Sequence, residues 1–138
     1  MKILVIAPDH ADLPNAAIEI AAIDRNHDAT ILRGSVRDSD IASAVDEDDF
    51  EVIWWITHGS PAGVLLGDGL LSTGGVGQYV RKSGATLCVL NTCESEDIAL
   101  RVIAGGRADM ICTIAPVPNK DAIRLGNLLA GELAETDD

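Results

Sequence analysis

Residues 51 to 59 read EVIWWITHG, an apolar run that holds both tryptophans of the chain and stops abruptly at His58 and Gly59. Successive side chains of a strand point to opposite faces, so a continuous apolar run is what a strand buried on both faces needs. We expect a strand over 51 to 57, with Trp54 and Trp55 packed under covering helices on opposite sides and His58 where the strand ends.

Outward from that run the pattern repeats. Residues 2 to 7 (KILVIA) form a second short apolar run, ended by Pro8 and Asp9. Asp12 then precedes a stretch in which Leu13, Ala16, Ala17 and Ile20 recur at helical spacing, predicting an amphipathic helix over 13 to 25 with Pro14 tolerated in its first turn. Further strands are expected over 29 to 33, 85 to 91 and 109 to 114, and further helices over 38 to 47, 75 to 83, 96 to 104 and 119 to 134. Asn119 is a natural N-cap for the last of these. Residues 60 to 73 carry two apolar pairs around Gly67-Asp68-Gly69, which suits a small hairpin. Strands alternating with helices call for an α/β fold with a parallel sheet, and in such sheets functional groups gather at the carboxyl ends of the strands.

At 138 residues, 47% of them hydrophobic, the chain suits one domain spanning 1 to 138, with the acidic tail 135 to 138 expected to be flexible. Its net charge is -12 and its ten Lys and Arg are scattered, which argues against nucleic-acid partners. The apolar runs are too short to span a bilayer and the N-terminus does not read as a signal peptide, so a cytoplasmic protein without membrane contact is expected. Cys88, Cys93 and Cys112 are odd in number and lack metal-ligand spacing, so no disulfide framework, metal site or cofactor is expected. Cys88 and Cys112 fall mid-strand and read as core.

Cys93 falls just past the strand expected over 85 to 91, and His58 just past the strand expected over 51 to 57. Neighbouring strands stand roughly 5 Å apart, so the two side chains can face each other across one notch. A thiolate attacks an acyl carbon, and an imidazole beside it can stabilise the thiolate and protonate the leaving amine. Gly59, lacking a Cβ, allows its backbone N–H to approach a substrate carbonyl, and the N–H of Cys93 is the second natural donor of an oxyanion hole.

With these residues in order, "WWITHG", "GVLLGDGLLS" and "LCVLNTCES" resemble the His-Gly and Cys motifs of caspase-fold cysteine peptidases, and more closely the CHAT domain, a caspase-like module related to separase. The resemblance covers nearly the whole chain. It implies a three-layer α/β/α sandwich around a mostly parallel sheet of about five to six strands. It also implies a His58–Cys93 dyad, an endopeptidase acting on a protein or peptide substrate, and no cofactor. The residue two before the nucleophile lines the primary specificity pocket in relatives; here it is Asn91, where metacaspases carry an Asp suited to basic residues. Asp68 is a further candidate substrate contact, although a Gly-Asp-Gly turn accounts for it without function. The chain departs from the pattern in two ways: helical repeats do not precede it, so any regulator is a separate protein, and a sixth strand does not follow its last helix, leaving an open sheet edge through which a homodimer could form.

Two other readings stand beside the peptidase: a catalytically silent caspase-like regulatory or binding module, and a flavodoxin-like or response-regulator-like domain with an equivalent βα order. The latter is disfavoured by the loop PDHADLP, which offers neither a phosphate cradle nor an acidic pair. Thr73-Gly74-Gly75 lacks the preceding strand and the spacing of a nucleotide loop. His10 and His27 lie in polar turns, with His10 close to the same sheet edge as His58.

Overall fold

The computed structural model describes residues 2–8, 16–60, 62–90, 100, 109–112 and 131. Their framework is a five-stranded parallel sheet built from β1 (Lys2–Pro8), β2 (Asp28–Gly34), β3 (Val52–Trp55), β7 (Leu87–Leu90) and β8 (Asp109–Cys112). A separate antiparallel sheet, β4 (Gly59–Ser60), β5 (Gly63–Leu66) and β6 (Gly69–Ser72), is inserted after β3. Helices α1 (Ala16–Asn26), α2 (Asp38–Glu47) and α3 (Thr73–Ser83) complete the described elements.

The parallel strands lie in the order β2-β1-β3-β7-β8. The chain therefore leaves β1 in one direction and then reverses, which sets a switch point between β1 and β3 and sends the connecting helices to opposite faces. The burial pattern agrees with that topology. Ile3, Val5, Val52, Trp54 and Val89 pack with Ile20 and Ile23 of α1 on one face. Leu4, Ile6, Ile53, Trp55, Cys88 and Leu90 pack with α2 and α3 on the other. The rungs Leu4–Ile53–Cys88 and Val5–Trp54–Val89 show why the apolar runs are unbroken: each strand feeds both cores by turns.

The α/β class, the buried strands over 2 to 7 and 51 to 57, and the hairpin near 60 to 73 stand as expected, with shifts at their ends. The third strand is shorter than the expected 51 to 57, because Thr57 turns away from the sheet to donate its hydroxyl to the Leu65 carbonyl at 2.6 Å. Ile56 keeps one bond to the ladder, its N–H reaching the Ile6 carbonyl at 2.9 Å. The strand expected from 85 begins at Leu87, since the Thr86 and Leu87 N–H groups both bond to the Glu51 carbonyl.

In α1, Ile20 of the expected stripe is buried, while residues 13 to 15 lie outside the described residues. Ala17 is exposed, and Glu19, Ile20, Ala22 and Ile23 face the sheet. The helix expected over 75 to 83 starts two residues earlier: Ser72 is its N-cap, accepting from the Gly75 N–H at 3.1 Å, so Thr73-Gly74-Gly75 is a helix start. A Cβ on Gly75 would sit 2.6 Å from Leu71 Cδ1, so the glycine lets β6 and α3 close on each other. Leu100 and Gly131, within the helices expected over 96 to 104 and 119 to 134, are helical. The rest of those helices, residues 113 and 114 of the last expected strand and the tail 135 to 138 lie outside the described residues.

Candidate active site at the carboxyl edge of the sheet

His58 sits three residues beyond Trp55, the last residue of β3. Its backbone is held by the inserted sheet, for the Leu65 N–H donates to the His58 carbonyl at 2.9 Å. The Thr57 hydroxyl bond to the Leu65 carbonyl ties the preceding residue to the same rung. His58 is half-buried, so its ring is held in part by protein and in part reaches solvent.

The antiparallel ladder then fixes Gly59. Opposed residues alternate between hydrogen-bonded and non-hydrogen-bonded pairs along such a ladder. The bond from Leu65 to His58 marks the first kind, so the next rung, Gly59–Val64, is of the second kind. The N–H of Gly59 therefore points away from β5 and is directed to neither neighbour in the small sheet. The fold thus presents, in consecutive residues, a half-buried imidazole and an outward backbone donor.

The inserted sheet is itself firmly seated. Val64 and Leu66 enter the core beneath α3, while Leu65 and Leu70, opposite each other across the β5–β6 ladder, stay exposed. Gly63 has φ +146, and a Cβ there would lie 1.9 Å from the Leu71 carbonyl oxygen. Only glycine allows that close approach.

Asp68 lies with Gly67 in the turn that joins β5 to β6, three residues beyond Leu65, whose N–H holds the His58 carbonyl. The Gly67 N–H bonds to the Val36 carbonyl at 2.7 Å, drawing the tip toward α2. There Asp68 adds to the negative field around Tyr79, whose hydroxyl donates to the Asp38 carboxylate and carbonyl. Burial, the bond to Asp38 and the charges of Asp38, Asp46 and Asp68 together push the Tyr79 phenol up to about 12. The structure thus presents His58 and Gly59 in succession and sets Asp68 at the same end of β5 as the His58–Leu65 rung, turned toward an acidic corner beside Tyr79.

Cys93 and Asn91 lie outside the described residues, as does His10. What is described is the strand that leads to them. Leu90, the last residue of β7, pairs with Trp55, the last residue of β3. The strands are parallel, so both leave the sheet at the same edge, and Cys93 and His58 each follow three residues after that shared rung. Cys88 is fully buried in the sheet core, as expected. Among the described residues no group of three or more His, Cys, Asp or Glu side chains is placed to hold a metal ion, and no helix is long and apolar enough to cross a membrane.

A buried polar pair escaped the sequence. The Trp54 indole N–H donates to Glu19 Oε1 at 3.0 Å, and Glu19 is only 1% exposed. A signal was present: Ala16, Glu19, Ile20 and Ile23 share helical spacing, so an acid interrupts an otherwise apolar face. Compared with protein-family models and with curated proteins, the sequence matches none.

Proposed function

We propose that the protein is a cysteine endopeptidase of caspase-like fold, related to the CHAT module, that cleaves a protein or peptide substrate through an acyl-enzyme on Cys93. The observation that carries this is the outward Gly59 N–H beside half-buried His58, at the edge where β3 ends level with the strand leading to Cys93. In this mechanism the Cys93 thiolate attacks the scissile carbonyl carbon, and the negative charge moves onto the carbonyl oxygen. The N–H groups of Gly59 and Cys93 receive that oxygen. The C–N bond then breaks as His58, in its protonated form, gives a proton to the departing amine. Water, losing a proton to His58, attacks the thioester and releases the acid, which restores the thiol chemistry for the next cycle. Asn91 and Asp68 are the proposed substrate contacts, Asp68 in the turn that follows the strand holding His58.

A second reading has an observation in its favour: the strand order 2-1-3-4-5 is also that of flavodoxin-like and response-regulator domains. Such a domain would bind flavin or take up a phosphoryl group, and either can be assayed directly. The chemistry at the end of the third strand favours the peptidase, because a response regulator needs a phosphorylatable Asp there and this chain has Thr57, His58 and Gly59.

The deciding experiment is the rate of Cys93 alkylation against pH, resolved by mass spectrometry, in the wild type and in His58→Ala. Cys88, fully buried, serves as the internal control. A peptidase dyad gives fast modification of Cys93 near neutral pH that is lost with His58. Modification of Cys93 as slow as that of Cys88, with or without His58, removes the mechanism and leaves a silent binding module.

A further inference from the structure

The strand β2 forms one edge of the parallel sheet and pairs through all seven residues with β1. Parallel pairing uses alternate backbone groups of a strand, so the remaining N–H and C=O groups of β2 point outward. Among the described residues nothing pairs with that outer edge. Natural proteins blunt such edges with Pro, Lys, bulges or short strands. β2 is DATILRG, seven residues long, with no Pro or Lys, and it pairs with β1 in unbroken register.

Beside this edge runs a groove of about 650 Å³ between β2 and α2. Its floor is the margin of the core, with Leu32, Val36, Ala44 and Phe50. Its rim is acidic, with Asp40, Glu47 and Asp48 against the single cation Arg33. Asp40 accepts from the Arg37 N–H at the start of α2, and Asp48 pairs with Lys2, so exposed Glu47 is the acid with no such structural duty. The wider field has the same sign: residues 38 to 51 hold seven Asp and Glu and no Lys or Arg.

We propose that this edge is a docking site for an extended peptide with basic side chains at alternate positions, which adds as a further strand along β2. Peptides that extend a sheet take affinity from main-chain bonds and specificity from alternate side chains. Side chains facing α2 lie over the apolar floor and end at the acidic rim. Lys or Arg meets both demands, since its aliphatic stem covers Leu32 and Phe50 while its charged head reaches Glu47. Side chains on the opposite face meet Ala29 and Ile31, which are partly buried against the α1 core, and there apolar residues fit.

A second copy of the chain is a poorer occupant. Antiparallel pairing of two β2 edges about a two-fold axis leaves both α2 helices on one face of the joined sheet. That brings two acidic rows together and opposes the association. The proposal is independent of the His58–Cys93 chemistry, which sits at the carboxyl edge of the sheet.

The probe is the peptide acetyl-KVKVKVK-amide, titrated into the full chain at low salt and followed by backbone amide shifts. The expected result is saturable binding whose shifts centre on residues 28 to 34, with the affinity falling as salt rises. Glu47→Lys weakens binding by about tenfold or more, as losing a charge-assisted contact and gaining a repulsion requires. A version of the peptide N-methylated at alternate residues keeps charge and side chains but cannot complete the ladder, and it too binds about tenfold or more weakly. The proposal is overturned if the N-methylated peptide binds as well as its parent, which would mean surface electrostatics alone. It is also overturned if Glu47→Lys has no effect, if β2 amides do not shift, or if sedimentation shows that the free chain dimerises through β2.

Discussion

Trp54 and Trp55 are adjacent, equally buried and part of one strand, yet their indole N–H groups meet opposite fates. On the α1 face Trp54 donates to Glu19, and on the α2–α3 face the Trp55 Nε1 is buried without a hydrogen-bond partner among the described residues. A buried donor left without a partner costs about 1–3 kcal/mol, and among the described residues the α1 face has a polar anchor that the other face lacks. The difference shows that adjacent positions of one strand meet different polar surroundings, an acceptor on one face and none among the described residues on the other. The two cores therefore have different tolerances: a wholly apolar side chain is nearly welcome at one tryptophan position and disruptive at the other.

The comparison can be broken most bluntly by truncation. Trp54→Ala and Trp55→Ala should each lower stability by about 3–5 kcal/mol in urea unfolding, because both leave large cavities in close-packed cores. An effect under about 1 kcal/mol at either position would show that the site collapses freely and is no true core.

Conservative substitution sharpens the contrast. Trp54→Phe strands the Glu19 carboxylate away from its indole donor, whereas Trp55→Phe removes a donor that has no acceptor among the described residues. Trp54→Phe should therefore be the more destabilising of the two by about 1–3 kcal/mol, and Glu19→Gln, which keeps an acceptor oxygen, should cost less than Glu19→Ala. Equal costs for the two Phe variants would remove the asymmetry.

The smallest effect concerns the margin of the Trp55 face, where Tyr79 reaches Asp38. Tyr79 is the one tyrosine of the chain, so tyrosinate absorbance reports it alone. Its folded value is raised from 10.0 to about 12, so the folded state holds the phenolic proton more tightly than the unfolded chain does. The linked stability is present in full below pH 10 and is lost as pH rises through about 12. The absorbance midpoint should fall near 12 in the native protein and lower in Asp38→Asn. A native midpoint near 10 would mean that the phenol is hydrated and the Asp38 contact absent.

The central strands were plain in the sequence because burial on both faces leaves no room for polar residues, as KILVIA and VIWW show. The hairpin was legible for a different reason: Gly67-Asp68-Gly69 interrupts two apolar pairs with turn chemistry. The ends of elements were less so. Thr57 looks like strand by propensity, but a tertiary bond to Leu65 removes it from the ladder. Ala17 fits the helical stripe by spacing, but it is exposed, while Glu19 faces the sheet and accepts from Trp54.

At the candidate site, the type of residue at 58 and 59 could be read from the sequence, while the direction of the Gly59 N–H could not. That direction depends on which rungs of the β4–β5 ladder are bonded, a matter of register between segments. The Cys93 side of the site remains an expectation from the sequence, supported by the shared rung of β3 and β7.

The order of the sheet also bears on how the chain is made. Of the described strands β1 is made before β2, which joins one flank, and β3, β7 and β8 then extend the other flank in turn. Each new strand finds its partner already present, so the sheet can grow outward while translation proceeds, without waiting for a distant segment. The outer margin of β2 is closed by no later described strand. A nascent chain therefore carries that margin as soon as β1 and β2 have paired, and anything that recognises it, whether a chaperone or a lasting partner, can do so before β3, β7 and β8 have been synthesised.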